Sequence, residues 1–226
     1  MVRLAGVSKR FTKGKETISI FDHLDLAIPR GDFIAVMGPS GSGKTTLLNL
    51  LGGIDRADEG EIAVAEKRID AMSEGELAAW RAANIGFIFQ FYNLMPMLTA
   101  AQNVDLPLLL TKLRGKERMA RVHTALSVVG LADRVKHRPR EMSGGQQQRV
   151  AIARAIVSDP NLLLCDEPTG DLDRHSADEI LSILQLHNKD LGKTIVMVTH
   201  DPAAARYARR ILHLDKGQFV EQELAA

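Results

Sequence analysis

Apolar positions in this chain follow three rhythms. Residues 2–11 and 18–28 alternate roughly between apolar and polar side chains, the period of strands with one buried face, and predict an antiparallel pair turning at Gly14 and Lys15. Short, largely apolar runs at residues 32–37, 85–89 and 161–165, with another at 194–198, read as buried strands. Residues 60–65 read as a further short strand, and residues 211–214 and 218–220 as the last strands, around Gly217. Helical spacing fills the intervals. One helix covers residues 43–51 and stops at Gly52-Gly53. Ser73 with Glu76 and Thr99 with Gln102 have capping-box spacing; they open helices through Trp80 and Ala83 and toward Leu110. Residues 116–129 predict an amphipathic helix, and Ser143 with Gln146 caps another that runs to Pro160. A helix over residues 176–187 puts Ile180, Leu181, Leu184 and Leu186 in the core, and Gly192 breaks it. Asp201 caps a last helix with Pro202 at its first position. Trp80 is expected to be a packing residue, and the basic stretch 132–140 a solvated face. The pattern shows no internal repeat, low-complexity stretch or long linker.

Chemistry concentrates where buried strands end. Gly38-Pro39-Ser40-Gly41-Ser42-Gly43-Lys44-Thr45, followed by Thr46, lies between such a strand and a helix. That context makes the spacing a phosphate-binding loop. Its glycines let successive N–H groups turn inward as an anion nest, and the helix behind adds unpaired N–H groups and its positive dipole end. Lys44 supplies a mobile charge for β- and γ-phosphates, and the Thr45 hydroxyl a ligand for Mg²⁺. Gln90, at the tip of another apolar strand, can reach a metal or a water beside the phosphates, or be a simple strand-end amide. Asp166 and Glu167 end a third strand: one carboxylate can hold Mg²⁺, the next can polarise a water. His200 sits at the tip of a fourth strand, which sets it apart from the other histidines, expected at the surface. Ser143-Gly144-Gly145-Gln146 forms a second anion-ready helix start. Phe11, upstream, either stacks on an adenine ring or packs as a core or edge aromatic. Phe91-Tyr92-Asn93-Leu94-Met95-Pro96-Met97-Leu98 is too apolar for a solvated loop; it packs inward or forms a docking surface.

Composition narrows the partners. The 226 residues suit one domain, or one with a subdomain inserted, and a net charge of +1 gives no electrostatic mandate for nucleic acid. The single cysteine, Cys165, excludes an internal disulfide and is expected to be a small buried residue. Residues 1–6 lack the apolar core of a signal peptide, and no apolar run approaches the roughly 20 residues that span a bilayer. The expectation is a cytoplasmic chain whose membrane role, if any, needs a partner.

The order of these motifs resembles the ATP-binding cassette (ABC) transporter ATPases over almost the whole chain. The resemblance implies an α/β fold: a P-loop NTPase, RecA-like core with an antiparallel β subdomain and an inserted α-helical subdomain. Residues 1–87 and 151–226 would form the core and residues 88–150 the insertion. It further implies that Gly38, Pro39, Ser40, Gly41, Ser42, Gly43, Lys44, Thr45 and Thr46 bind ATP, and that Gln90 is the Q-loop residue. Asp166 would hold Mg²⁺, together with Thr45 and Gln90. Glu167 would be the catalytic base and His200 the switch histidine. Ser143, Gly144, Gly145 and Gln146 would be the signature, Asp171 the D-loop residue and Phe11 the adenine-stacking aromatic. Met142 stands where leucine usually leads the signature, and Asp171 where asparagine is often found. Gly52-Gly53-Ile54-Asp55, the Phe87–Leu98 stretch and Pro168-Thr169-Gly170-Asp171-Leu172-Asp173 resemble the branch of lipoprotein-releasing, macrolide-exporting and cell-division ATPases. Such cassettes pair head to tail, so the expected partners are a second copy and an integral membrane permease docking near 91–98, at the cytoplasmic face of the inner membrane, with no nucleic acid. Two other classes compete: a soluble ATPase of DNA repair or translation, and a non-hydrolysing nucleotide-binding regulator. Lys44, Asp166, Glu167 and His200 speak against the second; the lack of a coiled-coil insertion or second cassette speaks against the first.

Overall fold

The computed structural model describes residues 1–14 and 16–220. The expected turn residue Lys15 lies outside the described residues. Strands β1 (Val2–Lys13) and β2 (Glu16–Ile28) pair antiparallel, with Val2 opposite Ile28. On the other side of β1 lies β4 (Glu59–Val64), then β5 (Lys67–Arg68), giving the order β2-β1-β4-β5.

A second sheet has the order β10-β9-β3-β8-β7-β6, built from β3 (Phe33–Met37), β6 (Ile85–Phe89), β7 (Leu162–Asp166), β8 (Thr194–Val198), β9 (Arg210–Asp215) and β10 (Gln218–Val220). All its pairings are parallel except β10 on β9. Register decides what this sheet can do. Val36 and Asp166 both align with Val198, and Phe89 aligns with Asp166. The residues that follow β3, β6, β7 and β8 therefore emerge along one edge, the carboxyl ends of parallel strands, where ligands bind in α/β folds.

The strands' period of two sorts the core into two layers. Ile34, Val36, Leu162, Leu164, Val196 and Val198 face the antiparallel sheet and helix α1 (Lys44–Leu51). Phe33, Ala35, Leu163, Cys165, Ile195 and Met197 face the helices of the opposite layer. Those are α3 (Ala100–Asp105), α4 (Gly115–Val128), α5 (Gly144–Ile156) and α6 (Arg174–Lys189). Helix α2 (Glu74–Asn84) starts on the predicted Ser73–Glu76 capping box, and its buried Trp80 packs as expected. A short α7 (Pro202–Ala205) follows the Asp201 cap. In α1, Leu47, Leu48, Leu50 and Leu51 are all buried, each worth about 1.5–3 kcal/mol. The 38–45 loop therefore sits on a firmly anchored helix.

The structure corrects several expectations. Helix α3 does not continue to Leu110; it passes into a 3₁₀ turn at Leu106–Leu110, because Pro107 has no N–H to extend an α-helix. Leu186 is half exposed, not core. The buried face of α6 runs through Ile180, Leu184 and His187, and Leu186 is turned about 100° away from His187. His187, expected at the surface, is thus 3 % exposed. The basic 132–140 stretch is more than a solvated face: Pro139 is buried, and the carbonyls of Val135 and His137 accept from the N–H groups of Ala101 and Ala100, capping α3.

Candidate functional site

The 38–45 loop leaves β3 and enters α1 with Gly41 and Gly43 in left-handed conformation, φ 79° and 103°. Only glycine fits at Gly43: a Cβ there would lie 2.9 Å from Ile20 Cγ2 and Phe21 Cε1. Helix α1 has no side-chain cap, so its first N–H groups remain available at the loop. Ser42 Oγ, buried, has no hydrogen-bond partner among the described residues. Lys44 Nζ donates to the carbonyls of Gly38 and Pro39, both at 2.8 Å, and so lies across the loop. These are the features of an anion cradle: free donors, one mobile cation and no carboxylate within the loop.

The other strand ends complete the pocket, about 520 Å³ in volume. Gln90, Asp166, Glu167, Val198 and His200 line it with Lys44, Thr45, Thr46 and loop glycines. Thr45 Oγ1 donates to Asp166 Oδ2 at 3.2 Å. Burial pushes the Asp166 carboxyl above its usual range, adjacent Glu167 adds to this, and Thr45 and Lys44 oppose it. Glu167 adopts φ 49°, uncommon for a residue with a Cβ. Its N–H donates to Val198 O at 3.0 Å, which fixes the turn after β7. The side chain then meets the next strand tip: His200 Nδ1 donates to Glu167 Oε1 at 2.9 Å, and the His200 N–H to Oε2 at 3.4 Å. A carboxylate held by an imidazole beside a phosphate cradle can orient or deprotonate a water.

Some sequence-predicted residues lie outside this pocket within the single chain. Ser143, Gly144, Gly145 and Gln146 do not line it. Ser143 Oγ accepts from Gln146 N at 3.3 Å, and Gln146 Oε1 from Ser143 N at 3.0 Å, a closed capping box. Phe11 also stands apart, 43 % exposed, with Lys9 Nζ 4.9 Å from its ring centroid. Asp171 is exposed, and its Oδ1 accepts from Gln90 Nε2 at 3.4 Å, tying the two loops together.

Sequence reasoning missed three supporting residues, each a polar side chain on a helix. Gln148, fully buried on α5, donates from Nε2 to the carbonyls of Phe89 and Pro168, joining the segments that follow β6 and β7. Arg154 donates to the carbonyls of Tyr92 and Asn93 at 2.7 and 2.6 Å, and both acceptor residues have positive φ. Buried Asn103 accepts from Met95 N at 2.7 Å and donates to the carbonyls of Met95, Leu98 and Thr99. A polar residue inside an apolar helical stripe was the available signal. The 91–98 segment that Arg154 and Asn103 hold is divided: Leu94 packs on the core, while Phe91, Met95 and Met97 are exposed.

A left-handed glycine loop at a helix start, carboxylates at the next strand end and a histidine beyond them have the chemistry to bind a nucleotide's phosphates and position a water. Comparison with known proteins specifies it. A family model described as "ABC transporter" matches residues 21–170. The chain is 45 % identical over 220 residues to a macrolide export ATP-binding/permease protein, MacB 1/2, of Paracoccus denitrificans, covering 97 % of this chain and 33 % of that one. It is 42 % identical over 221 residues to the lipoprotein-releasing system ATP-binding protein LolD of Chromohalobacter salexigens, covering 98 % and 93 %. Among solved structures, the dimeric post-hydrolysis state of the ATP-binding cassette MJ0796 of Methanocaldococcus jannaschii, bound to ADP and Pi, superposes with a TM-score of 0.91. That pairing has 41 % identity and covers 99 % of this chain and 98 % of the other. The chain belongs to the ABC transporter family, as an ATP-binding subunit that hydrolyses ATP.

Proposed function

We propose that the pocket at the ends of β3, β6, β7 and β8 is where this chain binds and hydrolyses ATP. The observation that carries this is the convergence of Lys44, Asp166, Glu167 and His200 on one cavity, with Glu167 and His200 joined at 2.9 Å. The loop N–H groups, Ser42 and Lys44 bind the phosphates. Glu167 takes the position of the base that orients the attacking water, worth about 10²–10⁴-fold in rate. His200 holds the Glu167 carboxylate and presents its imidazole at the rim. Gln90 lines the pocket, precedes the 91–98 segment in the chain, and through the hydrogen bond from its Nε2 to Asp171 Oδ1 couples this chemistry to the loop after β7.

The donor set fits Mg²⁺. Thr45 Oγ1 and Asp166 Oδ2 stand 3.2 Å apart, hard oxygens on one side of the pocket, with Gln90 also lining it. No cluster of three or more His, Cys, Asp or Glu suited to a metal occurs among the described residues, so nucleotide oxygens and water would complete a Mg²⁺ shell. The ion, when bound, supplies charge neutralisation at the β- and γ-phosphates.

Residues 88–150 act as the helical signature subdomain on a core of residues 1–87 and 151–226. Ser143-Gly144-Gly145-Gln146 meets the ATP of a second copy, in a head-to-tail dimer with two ATP at the interface. Asp171 faces the same junction, and Phe11 lies against the adenine. Phe91, Met95 and Met97 meet an integral membrane permease. No helix among the described residues is long and apolar enough to cross a membrane. The chain would then act peripherally, at the cytoplasmic face of the inner membrane.

The test is Glu167→Gln, which keeps size and removes the base. We expect retained ATP binding, hydrolysis slowed about 10²–10⁴-fold in single turnover, and an ATP-dependent dimer on size-exclusion chromatography. Wild-type hydrolysis would remove Glu167 from the mechanism. A slow variant that stays monomeric with ATP and Mg²⁺ would remove the homodimer.

A further inference from the structure

A second cavity, about 420 Å³, opens among α4, the end of α5 and the end of α6. It rests on Leu163 near the start of β7, some three residues or ~10 Å along the strand from Asp166. Nothing about it suits a nucleotide: no glycine loop or helix start lies among its walls. Ala125, Ile156, Val157 and Leu163 form an apolar interior, and Val128 and Leu191 stand exposed at the mouth.

Its polar groups are few and differ in depth. His187 is the deep one, 3 % exposed. Its Nδ1–H donates to Ile183 O at 3.0 Å, one turn back on its own helix. That fixes the tautomer and leaves Nε2 as an acceptor with no partner among the described residues. Burial holds the ring's pKa below its usual value, so it is neutral near pH 7 and has a lone pair to offer. At the rim, Lys193 is already paired with Asp159 at 2.6 Å. Arg121, exposed on α4, has no ion pair or hydrogen bond among the described residues. The cavity thus presents an unanswered acceptor at depth, apolar walls between, and an uncommitted guanidinium at the mouth. Its volume falls within the roughly 300–1,000 Å³ typical of small-ligand pockets.

We infer that this cavity binds a small amphipathic anion: a compact apolar body with a hydrogen-bond donor for His187 Nε2 and a carboxylate for Arg121. A hydroxyaryl carboxylate has this outline. The acceptor at depth selects for the hydroxyl, because a ligand without it would leave His187 Nε2 desolvated and unpaired.

The experiment titrates 4-hydroxyphenylacetate into the ¹⁵N-labelled full chain and follows amide shifts. Phenylacetate, without the hydroxyl, and 4-(2-hydroxyethyl)phenol, without the carboxylate, are run alongside. We expect saturable shifts confined to amides near residues 120–128, 156–163 and 187–193. Affinity should drop about 2–10-fold without the hydroxyl and about tenfold or more without the carboxylate. Val128→Trp, a substitution at an exposed mouth position, should abolish the shifts. Arg121→Ala should erase the difference between the anion and the neutral alcohol, and His187→Leu the difference made by the hydroxyl. Shifts that do not saturate, equal affinity for all three compounds, or undiminished binding in Val128→Trp would overturn the inference. Val128→Trp decides the matter even if His187→Leu fails to fold.

Discussion

Two helices in this chain begin on a glycine–serine turn, and they are finished in opposite ways. At α1 the cap is Gly43, left-handed and without a side chain; Ser42 Oγ is buried and unpartnered, and the first turn has no acidic residue. At α5 the cap is Ser143, extended, bonded reciprocally with Gln146. The first start leaves donors pointing at a cavity; the second satisfies its own. Their glycines differ too. Gly43 is demanded by its φ and by Ile20 and Phe21. Gly144 and Gly145 have ordinary helical backbones, and added Cβ atoms would lie 2.9 Å from Tyr92 Oη and Ser176 Oγ, ends of side chains. Of the two, only the first start leaves an unpartnered side-chain donor at a cavity among the described residues. The second is closed on itself by Ser143 and Gln146.

Lys44→Ala cuts deepest into this contrast. Among the described residues Nζ donates only to carbonyls of its own loop, and its one further effect is to favour the ionised Asp166, so its loss should move the thermal midpoint little. Losing a charge-assisted contact should lower ATP affinity by about 10–100-fold, and turnover should vanish. Calorimetric titration on folded protein checks it; unchanged affinity would move the phosphate site elsewhere. Gly43→Ala comes next. A Cβ at φ 103° that meets Ile20 and Phe21 should cost about 1–3 kcal/mol and weaken ATP binding as well. Gly145→Ala, measured in the same denaturant series, should cost less because Ser176 Oγ can move. Equal losses would erase the distinction between the two starts.

The sequence made the site more legible than its supports. Residues 38–45, 166, 167 and 200 stand at the ends of apolar runs, and parallel register gathers strand ends automatically. The left-handed φ of Glu167 left no trace, since nothing in a carboxylate announces its backbone angle. Gln148, Arg154 and Asn103 were missed because their partners are carbonyls of distant loops, which only the folded chain brings near. His187 and Leu186 were exchanged by one residue of helical phase: the apolar residue looked like core, and the buried face took the histidine. The α3 break was in plain view as Pro107, outweighed by the leucines around it. The 91–98 segment had two readings because it does both, with Leu94 inward and Phe91 and Met97 outward.

Ser143→Ala tests the finished start. It should remove a cap worth about 1 kcal/mol, lowering the thermal midpoint by about 2–4 °C for a chain of this size. ATP affinity of the monomer should not change, because Ser143 does not line its own chain's pocket. A fall in monomer affinity would join the two starts within one chain and end the contrast.

Asp166→Asn should have the smallest effect on stability, and it carries the opposite sign. Asp166 is part-buried, and burial together with Glu167 raises its pKa above the usual carboxylate value. A carboxyl that binds its proton more tightly folded than unfolded opposes folding once ionised. The penalty is absent below the unfolded value, grows as pH rises toward the raised one, and is full above it. The amide keeps the shape, and its oxygen can still accept from Thr45. At neutral pH the ligand-free variant should therefore melt slightly higher than wild type, by about 2–4 °C per kcal/mol recovered, and the two should converge below pH 4. Mg²⁺-dependent ATP binding should weaken in the same protein. Stability gained where function is lost marks a residue placed for its ligand. A lower midpoint at neutral pH would mean that Asp166 holds the fold together instead, with its Thr45 contact a structural bond.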